Sequence, residues 1–95
     1  MKQKIQDLIL SAVKSAFEKG DLPSADIPEV EVEGPRADAH GDFSSNIAMV
    51  MASVQKMAPR KIAEAIIAHI QDPQELIEET EIAGPGCINF FVKPS

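Results

Sequence analysis

The chain reads as an α+β domain in which a small, mainly antiparallel sheet of three to four strands, ending in a C-terminal hairpin, packs against three amphipathic helices. Three observations predict this. Apolar residues recur at helical spacing in three separate stretches. Two runs near the C-terminus, Glu79 to Ala83 and Cys87 to Val92, have strand composition. Between them, Gly84-Pro85-Gly86-Cys87 fits a type II turn, with proline at the second position and glycine accepting a positive φ at the third.

From Ile5, the residues Leu8, Ile9, Ala12, Val13, Ala16 and Phe17 form one stripe, and Lys4, Gln6, Asp7, Lys14, Glu18 and Lys19 take the other face. Gly20 supplies the stop, and Pro23 and Pro28 keep the following stretch extended or turning. Glu29 to Glu33 alternates acid with Val30 and Val32, the period-two pattern of a strand with one wet face, ending at Gly34-Pro35. Residues 36 to 43, RADAHGDF, lack periodicity and read as a loop, with Asp42 or Ser44 able to cap the next helix. That helix is predicted over Ser45 to Met57, with Ile47, Val50, Met51 and Val54 on one face and Ala48 and Ala52 allowing close approach. Pro59 suits the first turn of a third helix, where its missing N–H costs nothing. Ile62, Ala63, Ile66, Ile67 and Ile70 form its stripe, and it ends near Asp72-Pro73, before a short turn at Gln74 to Ile77.

Composition bounds the function. A chain of 95 residues, 44% hydrophobic and 25% charged, supports one globular domain spanning 1–95. A domain of this size buries only about 60–65% of its unfolded surface, so a partner covering part of it is expected. No apolar run approaches the roughly 20 residues that cross a bilayer, and a cytoplasmic location follows by default. The formal charge of −6 argues against non-specific nucleic-acid binding, which relies on Lys and Arg to displace phosphate counterions. Any nucleic-acid role is therefore local. The basic residues cluster at Lys56, Arg60 and Lys61, a distribution that permits phosphate contact or serves as a solvated face.

No catalytic or metal site is expected. His40 lies in a loop, and His69 sits near a helix end, suited to the C-terminal dipole. Asp42 beside His40 has no nucleophile tied to it and reads as a helix cap. The single Cys87 has no partner for a disulfide or a metal pair. Glu29, Glu31 and Glu33 read as a solubilising edge, and no phosphate-binding glycine loop is present. Function is expected to lie in binding. The odd residue is Asn89, an amide in a strand that disfavours it. Ile88, Phe90 and Val92 suit the core, which leaves Cys87, Asn89 and Phe91 on the other face. Asn89 has two readings: a hydrogen bond to a neighbouring loop backbone, or ligand recognition, in which the amide pairs with a nucleobase edge while an adjacent apolar side chain covers the base.

Gly41-Asp42-Phe43, Asn46-Ile47-Ala48, Pro59 with Ile62-Ala63, and the segment Ala83 to Phe90 occur in this order along nearly the whole chain. Together they resemble the N-terminal domain of bacterial arginyl-tRNA synthetases. The resemblance implies a module that contacts the D-loop at the outer corner of tRNA(Arg). Recognition would fall on the residue after AGPG and the asparagine two further on, here Cys87 and Asn89, where the family commonly has an aromatic ring at the first of these positions. The favoured reading is a tRNA-positioning module in which Gly84 and Gly86 permit close approach, Phe91 shares the face of Asn89 by strand alternation, and Arg36, Lys56, Arg60 or Lys61 meet phosphate. The family's catalytic core lies downstream, and neither of its signatures appears here, since HGDF and QKMAPRK are not versions of them. The chain is therefore expected to be an excised domain ending at Ser95. ATP and magnesium would serve only the parent enzyme, whose catalytic and anticodon-binding domains would be further partners. The rival reading is a structural or protein-binding domain with no nucleic-acid contact.

Overall fold

In the computed structural model, residues 2–24, 26–34 and 42–93 are described. The elements are α1 (Lys2–Glu18), β1 (Phe43–Ser45), α2 (Ile47–Gln55), α3 (Pro59–His69), β2 (Ile77–Ala83) and β3 (Cys87–Val92). The sheet is antiparallel with order β1-β3-β2, so the last strand in sequence lies in the middle. Helix α3 packs on α1, on α2 and on both hairpin strands. Ile62, Ala63 and Ile66 of α3 meet Ile5, Ile9, Ala12, Val13 and Ala16 of α1, Ile47, Ala48 and Met51 of α2, and Ile88 and Phe90 of β3 in one core.

Helix α1 ends as Gly20 predicts. Gly20 has φ +85, its N–H donates to Phe17 O, and the Asp21 N–H reaches back to Ala16 O at 2.8 Å. This paired arrangement satisfies carbonyls that the last helical turn leaves open. Phe17 is 40% exposed, outside the core stripe expected of it. Pro59 occupies the first turn of α3, as its chemistry predicts. His69 sits in the last turn of α3, where its Nε2 lies 2.6 Å from Asp21 Oδ2 and its Nδ1 3.1 Å from Ser15 Oγ. A carboxylate accepts only, so Nε2 donates to Asp21, and Nδ1 forms a second hydrogen bond with the Ser15 hydroxyl. These bonds fasten the end of α3 to the end of α1.

Four expectations are corrected. The segment 29–33 is not a strand. Its burial does alternate, with Val32 in the core and Glu29, Glu31 and Glu33 exposed, but only Glu33 forms a bridge, to Ser44. Side chains take two of its carbonyls, with Gln6 Nε2 donating to Val30 O and Ser45 Oγ to Glu31 O, so these two need no ladder.

The second correction concerns 43–45, predicted partly as loop and partly as helix, which form β1 because Phe43, Ser44 and Ser45 pair with Phe90, Asn89 and Ile88. Third, neither Asp42 nor Ser44 caps α2. Asp42 clasps the sheet, donating its N–H to Phe90 O and accepting the Val92 N–H at Oδ2, while the buried Ser45 hydroxyl receives the Ile47 N–H. Fourth, the buried stripe of α2 is turned: Ile47, Ala48, Met51 and Gln55 are buried, whereas Val50 and Val54 are 49% and 44% exposed.

Gln55 explains that rotation. Its Oε1 accepts the Ser24 N–H at 3.0 Å and its Nε2 donates to Ser24 O at 2.9 Å, so one side-chain amide pairs with a loop residue much as a strand would. Gln55→Ala leaves both backbone groups unpaired and should lower the unfolding free energy by about 2 kcal/mol. A urea titration with unchanged m-value, together with a melting point lower by about 10 °C, would show it.

Candidate functional site

The helices cover one face of the sheet, and among the described residues no helix covers the other, open face. Ile88 and Phe90 are fully buried on the covered face. Alternation puts Cys87, Asn89 and Phe91 of β3 on the open face, opposite Ala83, Glu81 and Glu79 of β2. On the other side of Asn89 stands Ser44 of β1. The predicted division of β3 between core and outer face therefore holds residue by residue.

Asn89 lies at the centre of that face and is only 7% exposed. Among the described residues its carboxamide has no hydrogen-bond partner, and none of the described buried side-chain nitrogens and oxygens is both sealed from solvent and unpaired. The amide is thus recessed yet reachable, with its donors and acceptor uncommitted. A loop-backbone partner is not found for it among the described residues. Cys87 is half-buried and lines a polar concavity of about 160 Å³ together with Glu31, Glu33, Ser44 and Asn46. Phe91 is half-buried two residues further along.

The turn that launches β3 differs from the one predicted. Ala83 O accepts the Gly86 N–H at 3.2 Å, so Gly84 and Pro85 are the central pair. Gly84 has φ +56 and is followed by proline, which gives the turn the hand that matches strand twist in hairpins. Gly84 is exposed with open space where a Cβ would stand. Gly86 is buried, and its close approach is internal: a Cβ there would lie 2.7 Å from Pro59 Cβ and 2.9 Å from the Pro59 carbonyl carbon. The hairpin tip is seated directly on the start of α3.

Of the basic residues, Lys56 ends α2 in the left-handed conformation, with φ 55 and ψ 42, and is exposed. Lys61 is exposed, 4.0 Å from Glu64. Arg60 Nη1 donates to Gly84 O at 2.7 Å. Arg36, His40 and Gly41 lie outside the described residues. The structure thus brings Arg60, Gly84, Gly86, Cys87, Asn89 and Phe91 together at the hairpin, while Lys56 and Lys61 flank the start of α3. Exposed Glu79 and Glu81 border the open face, so it suits the edge of a neutral ring better than a phosphate. Among the described residues no group of three or more His, Cys, Asp or Glu could hold a metal, and no helix is long and apolar enough to cross a membrane.

The family model for the "Arginyl tRNA synthetase N terminal domain" matches residues 3–92. The chain belongs to that family. The arginine–tRNA ligase of Desulfosudis oleivorans is 56% identical over 94 residues, and that of Citrifermentans bemidjiense 45% identical over 95. These matches cover 99% and 100% of this chain and 17% of each relative, so the synthetase N-terminal domain spans about a sixth of the ligases it resembles. Among solved structures, the arginyl-tRNA synthetase of Plasmodium falciparum superposes with a TM-score of 0.77 at 20% identity, covering 97% of this chain and 16% of that one. The Thermus thermophilus synthetase gives 0.72 at 22%, covering 98% and 14%. At such identities the likeness establishes the fold of this synthetase domain.

Two contributors to the site carry weak sequence signals. Arg60 reads as a candidate phosphate contact, and Asp42 as a cap; only contacts with partners 24 and 50 residues away reveal what they hold. Gly86→Ala would combine a strained backbone at φ +150 with overlap on Pro59. A loss of about 3 kcal/mol in chemical denaturation is expected, with amide shifts concentrated at Cys87, Ile88 and Asn89.

Proposed function

We propose that this domain is a tRNA-recognition module of an arginine–tRNA ligase, contacting the D-loop at the outer corner of tRNA(Arg) through the open face of its hairpin. The observation that carries the reading is Asn89, a recessed carboxamide with no partner among the described residues, on the central strand of a synthetase N-terminal domain. The amide stays within reach of solvent, so its donors and acceptor can exchange water for the edge of a nucleobase without breaking a bond inside the described protein. The Cys87 concavity adjoins it, and Phe91 extends the same face with an aromatic surface on which a base can rest.

In this reading Asn89 supplies direction and Gly84 lets RNA come close to the turn. Lys56 and Lys61, with Arg36, contribute local positive charge toward phosphates. The acidic border keeps the backbone of the RNA at a distance, so binding by the domain alone is weak and gains strength from the rest of the ligase. ATP, magnesium and the joining chemistry belong to the catalytic body of that ligase, which works in the cytoplasm with its anticodon-binding domain. A second reading, a brace against another protein surface, is favoured by one feature, the exposed pair Val50 and Val54 on α2.

The two readings separate on titration of the labelled protein with tRNA at low salt. Amide shifts confined to residues 42–44 and 84–91 support recognition, and their absence supports the brace. In the full-length ligase, Asn89→Ala should raise the KM for tRNA about tenfold and leave the KM for arginine and the melting point unchanged. Wild-type kinetics in that variant would remove Asn89 from the site. Cys87→Tyr should act in the opposite direction, since a ring that stacks on a base is worth about 1–3 kcal/mol. A lower KM for tRNA, by about five- to tenfold, is the expected readout.

A further inference from the structure

Arg60 stands where helix physics gives a cation no advantage. It is the second residue of α3, at the end whose open amides carry partial positive charge, and no acidic residue lies in that first turn. Although the residue is exposed, its guanidinium reaches 24 residues along the chain to donate to Gly84 O at 2.7 Å. Its neighbour Pro59 is the residue on which Gly86 is packed. Two consecutive residues of α3 therefore hold the two glycines of one turn, one by a charged hydrogen bond and one by contact.

We infer that Arg60 is a positioning residue for tRNA selection: it fixes the Gly84 peptide and thereby sets the direction in which β3 leaves the turn and the place of Cys87 and Asn89 on the open face. This rests on the tRNA reading above. Asn89 lies three residues beyond Gly86 on a short strand, so a small rotation at the turn displaces it with little averaging in between. A guanidinium suits the task because it is planar, permanently charged and already ordered as a fork, so little freedom is lost in orienting it. One of its five N–H groups is held by Gly84 O, and phosphate contact is assigned to the neighbouring lysines.

The test uses the full-length ligase carrying Arg60→Met, which keeps the stem and removes both charge and donors, beside Asn89→Ala. Initial rates are measured against tRNA and against arginine at several salt concentrations. The KM for tRNA in Arg60→Met should rise about fivefold, with kcat, the KM for arginine and the melting point near wild type. The slope of log KM against log salt should match wild type, because no phosphate contact is lost. A wild-type KM for tRNA overturns the inference, and so does a raised KM whose salt slope is shallower by about one, the mark of a lost phosphate contact. If Asn89→Ala raises the KM while Arg60→Met does not, only the positioning role fails. An unchanged Asn89→Ala sinks the tRNA site itself, and the positioning role with it.

Discussion

A sheet of three strands in so short a chain has enough helix to cover only one of its sides, and that constraint organises the molecule. The covered side takes Ile88 and Phe90 of the middle strand into a core shared by all three helices. The opposite side of the same strand is left uncovered by helices, yet its centre is flanked by a strand on each side and so is recessed rather than flat. A polar residue placed there is neither part of the core nor an ordinary surface residue. Asn89 occupies that position, and the functional reading depends on it.

Helix α3 gives the arrangement its rigidity. It is the one helix that touches the other two helices and both strands of the hairpin. Its first turn receives the hairpin tip, and its last residue, His69, is tied to Ser15 and Asp21 at the end of α1. The geometry of the open face is therefore referred to the core through α3, not left to the hairpin alone. Such anchoring suits the proposed recognition role, where selectivity comes from holding a few groups in place.

Much of this was legible in the residues. Helices α1 and α3 show because their stripes are one-sided, with charges opposite. The hairpin shows because glycine and proline punctuate two strand-like runs. Helix α2 exists as predicted with Ile47 and Met51 inward, but its buried stripe is turned toward Ala48 and Gln55 and away from Val50 and Val54, which are as apolar as their buried neighbours, so periodicity alone does not choose between them. What decides is the bond pair between Gln55 and Ser24, 31 residues apart. Strand β1 was missed for a related reason: Phe43, Ser44 and Ser45 have no strand signature and extend because β3 is there to pair with them. Conversely, the acidic alternation at Glu29 to Glu33 is a true in-out pattern without a ladder. At the site, the division of β3 between its two faces followed from alternation, and the choice of Cys87 and Asn89 from the motif. The roles of Asp42, Gly86 and Arg60 depend on tertiary contacts that no local pattern encodes.

The strand order also bears on how the molecule comes into being. Because the middle strand is the last one made, β2 has no strand to pair with and β1 only the single bridge from Glu33 to Ser44 while the earlier part of the chain is being synthesised. The helices can gather first through local contacts, and β2 then meets β3 across a short turn. The joining of β1 to β3 must close a long stretch of chain, a slower kind of event. Until residues 87–92 arrive, two unpaired edges stand open to neighbouring nascent chains. Assembly is thus postponed to the end of this segment's synthesis, when a single strand completes the sheet, buries Ile88 and Phe90 and sets out the open face in one step.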